Sequence, residues 1–290
     1  MKPGRKEQSC PHRREMGGIM FKQRLISGVI LVILALLFIT HGGYLLLTVL
    51  GIISIIGLYE FYKVFQIEKS LPGLFGYLAA VLFYLNLAFD FIPDIMLFVM
   101  AVLILCMCSF VFCYPKFHAN QVIAAFFGVF YVAVMLSCIY RTRCLAGGYW
   151  LVWLIFLCSW GCDTCAYCVG MLIGKHKMTP KLSPKKTIEG GVGGVAGAFL
   201  LTILYGFLFR GYMNADLSYI LVMACISAAG ALLSMVGDLA ASAVKRNFDI
   251  KDYGKLIPGH GGIMDRFDSV IFTAPVIYYL SLYLFPLIGG

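Results

Sequence analysis

Apolar runs of about twenty residues alternate with short polar segments along most of this chain. A helix needs about twenty apolar residues to cross the hydrocarbon core of a bilayer, and a spanning segment must be helical because its backbone groups find no other partners there. The pattern predicts an all-α polytopic integral membrane protein with about nine transmembrane helices. Their predicted bounds are roughly 23–40, 44–62, 73–89, 92–113, 119–140, 149–173, 191–209, 217–245 and 267–287.

The polar segments between these runs divide the chain into three parts. Residues 1–22 are basic and lack periodicity, which is typical of a disordered cytoplasmic tail. Residues 23–140 form a set of N-terminal transmembrane helices with few charges. Residues 141–290 form a C-terminal transmembrane domain that contains most of the candidate chemistry.

The distribution of lysine and arginine predicts the orientation. With the N-terminus inside, 20 of the 23 basic residues lie in cytoplasmic segments, and the other three are Arg141, Arg143 and Arg210. Because basic loops favour the cytoplasmic side, we expect a cytoplasmic N-terminus and both long charged loops on that side. The predicted location is the cell (inner) membrane.

Composition supports this interpretation and excludes others. Hydrophobic residues make up 61% of the 290 residues, and the mean hydropathy is +0.90, above the range of soluble domains. The net charge of +9 does not indicate nucleic-acid binding, because the basic residues are spread between apolar runs. Four cysteines near residue 160 do not indicate a metal centre, since one helix cannot close their thiolates around one ion; they are Cys158, Cys162, Cys165 and Cys168.

The first candidate site comprises Asp163 and the loop Ser183-Pro-Lys-Lys-Thr187. A carboxylate within an apolar span indicates a polar cavity, although a simple buried ion pair is the alternative. Hydroxyls and lysines just before a helix N-terminus suit a phosphate group, although the loop could merely be a basic cytoplasmic one. The glycines that follow, spaced by four residues, are typical of close helix packing rather than of a nucleotide loop.

The second candidate site lies between Gly237 and Ser269, where about one residue in three is ionisable. Asp238, Ser242 and Lys245 recur at helical spacing and should share one face. Glycines around His260 indicate a close approach of the backbone to a ligand. Asp265 and Asp268 then flank Arg266 where the last helix begins; helix capping would explain Asp265 alone but not both aspartates.

Carboxylates mixed with lysine and arginine suit phosphoryl or nucleotidyl transfer. Mg²⁺ takes oxygen ligands, often one or two carboxylates together with phosphate oxygens. Basic groups neutralise the charge on the transferring phosphorus and the leaving pyrophosphate. The sequence therefore predicts a polyanionic substrate and a divalent cation at the cytoplasmic face of the membrane.

The motif resembles the signature of the phosphatidate cytidylyltransferases (CDP-diacylglycerol synthases). The resemblance is specific over about residues 160–269 and includes the upstream Asp163-Thr-Cys-Ala-Tyr and Ser183-Pro-Lys-Lys-Thr segments. The cysteines around Asp163 and the N-terminal extension depart from the family pattern. The signature residues are Ser242, Lys245, Arg246, Lys251, Asp252, Gly254, Pro258, His260, Gly261, Gly262, Asp265, Arg266 and Asp268.

The resemblance implies that CTP and phosphatidate react to give CDP-diacylglycerol and pyrophosphate, on an all-helical membrane fold that is often dimeric. It implies Mg²⁺, alone or with a second cation, on Asp238 and Asp265, and makes residues 141–290 the catalytic domain. The expected catalytic residues are Asp238, Lys245, Arg246, Lys251, Asp252, His260, Asp265, Arg266 and Asp268. The expected substrate-binding residues are Asp163, Ser183, Lys185, Lys186, Thr187 and Ser242.

Two alternatives remain open from the sequence. A CTP-dependent lipid kinase, of the polyprenol or phytol type, would have a similar fold, but the signature from His260 to Asp268 argues against it. An ion-coupled transporter would use Asp163 and Asp238 as a coupling-ion site and should show paired repeats or broken helices in both halves. Here the charge is concentrated in the C-terminal half, which favours an enzyme.

Overall fold

The computed structural model describes residues 11–259 and 261–287, with side chains from residue 26 onward. Within these residues, eight helical segments are long and apolar enough to cross a membrane, and Ile26–His41 is a shorter apolar helix. The predicted all-α polytopic fold is confirmed, whereas the count of nine spans and the cytoplasmic N-terminus stay predictions. The helices of the N-terminal half are α1 (Pro11–His41), α2 (Gly43–Val64), α3 (Leu71–Phe89), α4 (Ile95–Phe112), α5 (Ala119–Gly128) and α6 (Met135–Arg143).

The C-terminal half combines helices with a short β-hairpin. Strands β1 (Lys177–Thr179) and β2 (Ser183–Thr187) pair antiparallel, with Lys177 opposite Thr187 and Thr179 opposite Ser183. A 3₁₀ turn at Phe285–Leu287 follows the last helix. The helices are α7 (Gly148–Phe156), α8 (Cys162–Ile173), α9 (Ile188–Leu208), α10 (Arg210–Met213), α11 (Leu217–Asn247) and α12 (Met264–Leu284).

Two of the spans contain a π-helical turn. The turn Val129–Val134 joins α5 to α6, and the turn Leu157–Gly161 joins α7 to α8, so each pair forms one continuous span. A π-turn inserts an extra residue and rotates the side chains that follow it relative to a regular helix. The second turn ends two residues before Asp163, so it helps to set the direction in which this carboxylate points.

Glycines bring α8 and α9 into close contact, which confirms the packing predicted from their spacing. A methyl group at Gly194 would lie 2.9 Å from the Cys162 sulfur, and one at Gly197 would lie 2.5 Å from the Cys165 side chain. The cysteines of α8 therefore fill the groove that the α9 glycines leave. Helix α11 packs against both α9 and α12, so these helices form the C-terminal bundle.

Helix α1 begins earlier than the sequence predicts, at Pro11, and its residues 11–22 continue helically into the span. Residues 1–10 lie outside the described part of the chain, and the cytoplasmic tail stays a prediction. At the other end of α1, the Arg143 guanidinium donates to the carbonyls of Ile39 and Thr40, at 3.0 and 3.3 Å. Because the last carbonyls of a helix lack partners within it, this contact fastens α1 to the end of α6.

Three buried hydroxyls in the N-terminal half are paired across helices. The Tyr62 hydroxyl donates to the Ala125 carbonyl at 2.7 Å, and the Ser54 and Tyr84 hydroxyls lie 2.7 Å apart. Unpaired polar groups would be costly in an apolar interior, so these bonds join α2 to α3 and α5 at defined positions. Many large apolar side chains instead lie on the outer helix faces, as expected of a surface that meets lipid.

Candidate active site

Three aspartates from three helices meet at one cavity. Asp163 lies on α8, Asp238 on α11 and Asp268 on α12, and all three line a cavity of about 900 Å³. They are close enough for the charges of Asp163 and Asp238 to act on Asp268. Three neighbouring carboxylates repel one another, so the site has a strong affinity for positive charge.

Lysines from two different segments enter this site. Lys186, on strand β2, forms an ion pair with Asp238, and Lys245, on α11, lies 2.9 Å from an Asp265 carboxylate oxygen. Both side chains are largely shielded from solvent, where charge pairs interact more strongly than on an open surface. The hairpin and the end of α11 thus bring two ammonium groups to the edge of the carboxylate cluster.

Asp265 holds the loop that precedes α12. Its side chain is 3% exposed, its Oδ1 accepts from Lys245, and its Oδ2 accepts from the backbone N–H groups of Tyr253 and Gly262 at 2.8 and 3.0 Å. Gly261, with φ of +86°, lets the backbone pass this carboxylate; a methyl group there would lie 2.8 Å from Oδ2. Gly261 and Gly262, two of the glycines around His260, therefore lie against carboxylates of the protein itself.

Tyr253, whose backbone N–H donates to Asp265, also has side-chain contacts with α11. Its hydroxyl donates to the Ala241 carbonyl at 3.2 Å, and the Lys245 ammonium lies 5.5 Å from the centre of its ring. Burial, with the nearby charges of Asp265 and Asp268, raises the pKa of Tyr253 well above its ordinary value. The phenol therefore stays neutral and serves as a donor and a ring surface rather than as a base.

The hairpin is anchored at its base. Thr187 caps α9, since its hydroxyl accepts from the Gly190 N–H at 3.1 Å. Glu189 accepts from the backbone N–H groups of Lys175 and His176, and its Oε1 lies 2.6 Å from the His176 ring nitrogen. These contacts fix the end of β2 and so the position of Lys186. Thr187 thus has a structural contact that accounts for it, and its substrate contact stays a prediction.

The opposite side of the cavity is apolar. It is formed by α1 and α2, together with Phe156 and Trp160 from the span that contains α7 and α8. The cavity is therefore amphipathic, with charged groups contributed by the C-terminal half and aliphatic groups contributed mainly by the N-terminal half. The aliphatic and glycine residues that line it from α1 and α2 are Gly28, Leu31, Val32, Leu34, Ala35, Ile39, Leu46, Val49, Leu50 and Ile53.

The predicted site residues fall into two groups. Those brought together at the cavity are Asp163, Asp238, Lys245, Asp265, Arg266 and Asp268, with Lys186 paired to one of them. Asp238 and Lys245 share a face of α11, as the helical spacing predicts, and Ser242 is half-buried between them. The others lie at exposed or half-exposed positions of β2, of the end of α11 and of the segment after it, and they are Ser183, Lys185, Arg246, Lys251 and Asp252. His260 lies outside the described residues.

One residue at this site was not predicted from the sequence. Glu60, in α2, is 5% exposed, and its carboxylate accepts from the Met264 N–H at 2.9 Å, at the start of α12. A charged residue inside an apolar run was the available signal, since such residues are rarely left without a partner in a membrane protein.

The carboxylates suit a divalent cation that is completed by phosphate oxygens. A carboxylate oxygen has two lone pairs, so Asp265 Oδ1, which accepts one bond, can accept another ligand, whereas Oδ2 already accepts two. Asp238, with its negative neighbours, is a second oxygen donor. Within the described residues, no three His, Cys, Asp or Glu side chains are arranged to hold an ion by themselves. One or two carboxylates with phosphates are what Mg²⁺ commonly uses.

Comparison with known proteins identifies relatives over nearly the whole chain. The profile of the Cytidylyltransferase family matches residues 22–284. A phosphatidate cytidylyltransferase of Staphylococcus haemolyticus is 33% identical over 264 residues, which cover 90% of this chain and 99% of that protein. One of Bacillus subtilis is 31% identical, with 89% and 97% covered. One of Rickettsia felis is 42% identical over 137 residues, 46% of this chain and 59% of that protein.

Proposed function

The chain belongs to the Cytidylyltransferase family, and from that premise we infer that it is a phosphatidate cytidylyltransferase. It transfers the cytidylyl group of CTP to phosphatidate, which gives CDP-diacylglycerol and pyrophosphate for phospholipid biosynthesis. It is a multi-pass membrane enzyme. The relatives do not favour the kinase or transporter alternatives. The observation that carries the assignment is the full-length relationship to enzymes of this name.

The reaction exchanges one phosphorus–oxygen bond for another. A phosphate oxygen of phosphatidate attacks the α-phosphorus of CTP, the bond from that phosphorus to the bridging oxygen breaks, and pyrophosphate leaves with the electron pair. The attacking phosphate is already anionic, so no general base is needed. Three cationic side chains at the cavity are proposed to bind and neutralise the phosphates, namely Lys186, Lys245 and Arg266.

The amphipathic cavity suits an amphiphilic substrate. We assign the aliphatic wall from α1 and α2 to the acyl chains of phosphatidate, because burial of apolar chains against apolar side chains is favourable. The phosphate of the same molecule would then lie toward the charged end, near Lys245 and Arg266. This arrangement supports attack at the boundary between the bilayer and the aqueous phase.

Magnesium is part of the proposal. Asp238 and Asp265 would hold Mg²⁺, which supplies charge neutralisation for the triphosphate and the leaving pyrophosphate. Asp163 and Asp268 would orient these groups or share a second cation, as their position at the same cavity suggests. Asp265 would also keep its role in holding the loop through Tyr253 and Gly262.

The remaining predicted residues are proposed to guide CTP from water to the cavity. Those in the described part of the chain lie on β2, on the last turns of α11 and on the segment after it, which we place on the cytoplasmic side because these segments are basic. A homodimer, which the resemblance implies, stays a prediction that chemical cross-linking of the purified enzyme tests. The residues are Ser183, Lys185, Thr187, Ser242, Arg246, Lys251, Asp252 and His260.

The test uses purified protein in detergent with phosphatidate, Mg²⁺ and CTP labelled with ³²P at the α or the γ position. We expect α-label in the lipid fraction with release of pyrophosphate. Lipid labelled only from γ-labelled CTP would indicate a kinase. If neither label reaches lipid with a range of lipid phosphates and alcohols, the assignment is wrong.

A further inference from the structure

Glu60 belongs to the N-terminal half, yet it contacts the loop that forms the charged site. It lies near the cytoplasmic end of α2 as predicted from the basic loops, and it is almost fully buried. Neither the signature nor the cavity lining includes it. A buried carboxylate needs partners, so its contacts indicate what it does.

The first contact is with the beginning of α12. The Glu60 Oε2 accepts from the Met264 N–H at 2.9 Å. The first N–H groups of a helix have no acceptor within the helix, and a negative charge at that end is also favoured by the helix dipole. Glu60 thus caps α12 from another helix, although 204 positions separate the two residues along the chain.

The second contact is with the glycines of the loop. A methyl group at Gly254 or Gly262 would overlap the Glu60 carboxylate, so the loop backbone lies directly against it. Larger residues at these positions would force the loop away from α2. Two apolar contacts reinforce the fit, since Phe65 meets Phe248 edge to face, and a methyl group at Gly57 would lie 3.5 Å from the Met264 sulfur.

Met264 is adjacent in the chain to the site residue Asp265. Asp265 follows it directly and binds the Gly262 N–H from the other side of the same short segment. The stretch from Gly262 to Asp265 is therefore held between two carboxylates, one from each half of the chain. A shift of the Met264 backbone would move Asp265 and Arg266, both of which line the cavity.

We propose that Glu60 is a positioning residue for cytidylyl transfer. By holding the Met264 N–H and the glycine loop, it sets the place of Asp265 and Arg266 relative to Lys245 and Asp238. It touches neither substrate and acts only through the first turn of α12. The proposal rests on the cytidylyltransferase function, because its readout is that activity.

The test compares three substitutions of one side chain. Glu60→Gln keeps the length and an acceptor oxygen, Glu60→Asp keeps the charge but withdraws the acceptor by one methylene, and Glu60→Ala removes both. We expect Glu60→Gln to keep kcat within about threefold, and Glu60→Asp and Glu60→Ala to lose at least about tenfold, because a buried N–H loses its acceptor. The KM values for CTP and phosphatidate should change by less than about threefold, since Lys186, Lys245 and the aliphatic wall keep their proposed substrate contacts and the displaced Asp265 and Arg266 act mainly on the transition state.

Activity is expressed per folded protein, measured by monodisperse elution and thermal unfolding in detergent. Ser54→Ala is the matched control: it also removes a buried hydrogen bond of α2, to Tyr84, but away from the loop. It should keep wild-type kcat even where its unfolding temperature falls. A purely structural Glu60 would lower yield or unfolding temperature in the same way as Ser54→Ala, with kcat per folded molecule unchanged.

Two results would overturn the proposal. One is a kcat equal to that of the wild type in folded Glu60→Asp. This variant tests the proposal even if Glu60→Ala does not fold. The other is a loss in Glu60→Gln as large as in Glu60→Ala, which would show that an acceptor oxygen at the native position is not sufficient. An inactive wild-type protein would count against the proposed function instead, so the two failures are distinguishable.

Discussion

The two halves of the chain contribute opposite chemistry to one cavity. In the N-terminal half, α1 and α2 provide a wall of aliphatic side chains. In the C-terminal half, three helices contribute Asp163, Asp238 and Asp268, and two lysines pair with carboxylates there. The first half is therefore suited to the acyl chains that we propose it binds, and the second half is suited to the proposed phosphates and cation.

The two halves also differ in the partners of their buried charged groups. In the C-terminal half, ionisable groups satisfy one another, as Lys186 does with Asp238 and Lys245 with Asp265. The Glu60 carboxylate of the N-terminal half is satisfied instead by backbone of the other half. The two halves are thus joined both by packing and by a polar contact that reaches the site.

Among these predictions, the largest loss of activity is expected from a substitution of Asp265, in the charged half. Replacing it with asparagine removes the charge that faces Lys245 and puts an amide where one oxygen accepts two backbone N–H groups. We expect turnover to fall by at least about 100-fold, because an electrostatic contact at the reacting phosphates is lost. The fall in turnover is measured as the transfer of α-label from CTP to lipid per folded protein. The variant should still elute as a monodisperse species.

A folded Asp265→Asn protein with activity near that of wild type would remove both the metal-ligand proposal and the role of this residue in placing the loop. Measuring the Mg²⁺ dependence of any residual activity separates the two roles. A lost metal ligand raises the Mg²⁺ concentration needed, whereas a misplaced loop lowers the maximum rate.

A substitution of Lys186 tests whether a single paired charge of the C-terminal half contributes to the use of CTP. Lys186→Gln keeps the length but removes the charge that pairs with Asp238. We expect kcat/KM for CTP to fall by roughly 10- to 100-fold, the usual worth of a charge-assisted hydrogen bond. Steady-state kinetics at varied CTP concentration measures the loss.

The matched control for this prediction is Lys181→Gln, in the exposed turn of the same hairpin. It changes net charge equally but lies away from Asp238, so kcat/KM should stay within about twofold, as expected of an exposed charge. Equal losses in the two variants would show that the hairpin acts only through its overall positive charge.

The smallest effect is expected in the aliphatic half. Leu31→Ala removes part of the cavity wall on α1, which we assign to the acyl chains. The KM for phosphatidate should rise roughly three- to tenfold with an unchanged KM for CTP, as expected from a lost apolar contact of a few methylenes. Ile33→Ala, an exposed position on the same helix that does not line the cavity, is the control. A rise in the KM for CTP instead would contradict the division between the halves.

Much of the fold could be predicted because bilayer physics acts on local sequence. The apolar pattern predicts a span at 149–173 around Asp163, and the structure has Gly148–Ile173. The run after the hairpin was placed at 191–209 but begins at Ile188, because Thr187 caps the helix. The π-turns before Asp163 and after Gly128 were not predicted, since they add one residue to a turn without changing the apolar pattern.

The candidate site was predicted as a list of residues rather than as a set of contacts. The spacing of Asp238 and Lys245 along one helix was enough to place them on one face. The same reasoning does not say that Lys245 pairs with Asp265, or that Lys186 pairs with Asp238. Those pairs join different elements, and their distances depend on how the helices pack.

The membrane-spanning helical class and the close packing of the α9 glycines follow from the sequence alone, since each depends on local composition or spacing. Only the tertiary structure decided the partner of each charge and the wall that faces the charged cluster. Glu60 is the clearest case: its burial required an acceptor role, but many backbone N–H groups could have met it. The packing of α2 against α12 selects the Met264 N–H as the donor to Glu60. The residues next to Glu60 in the sequence do not contain that information.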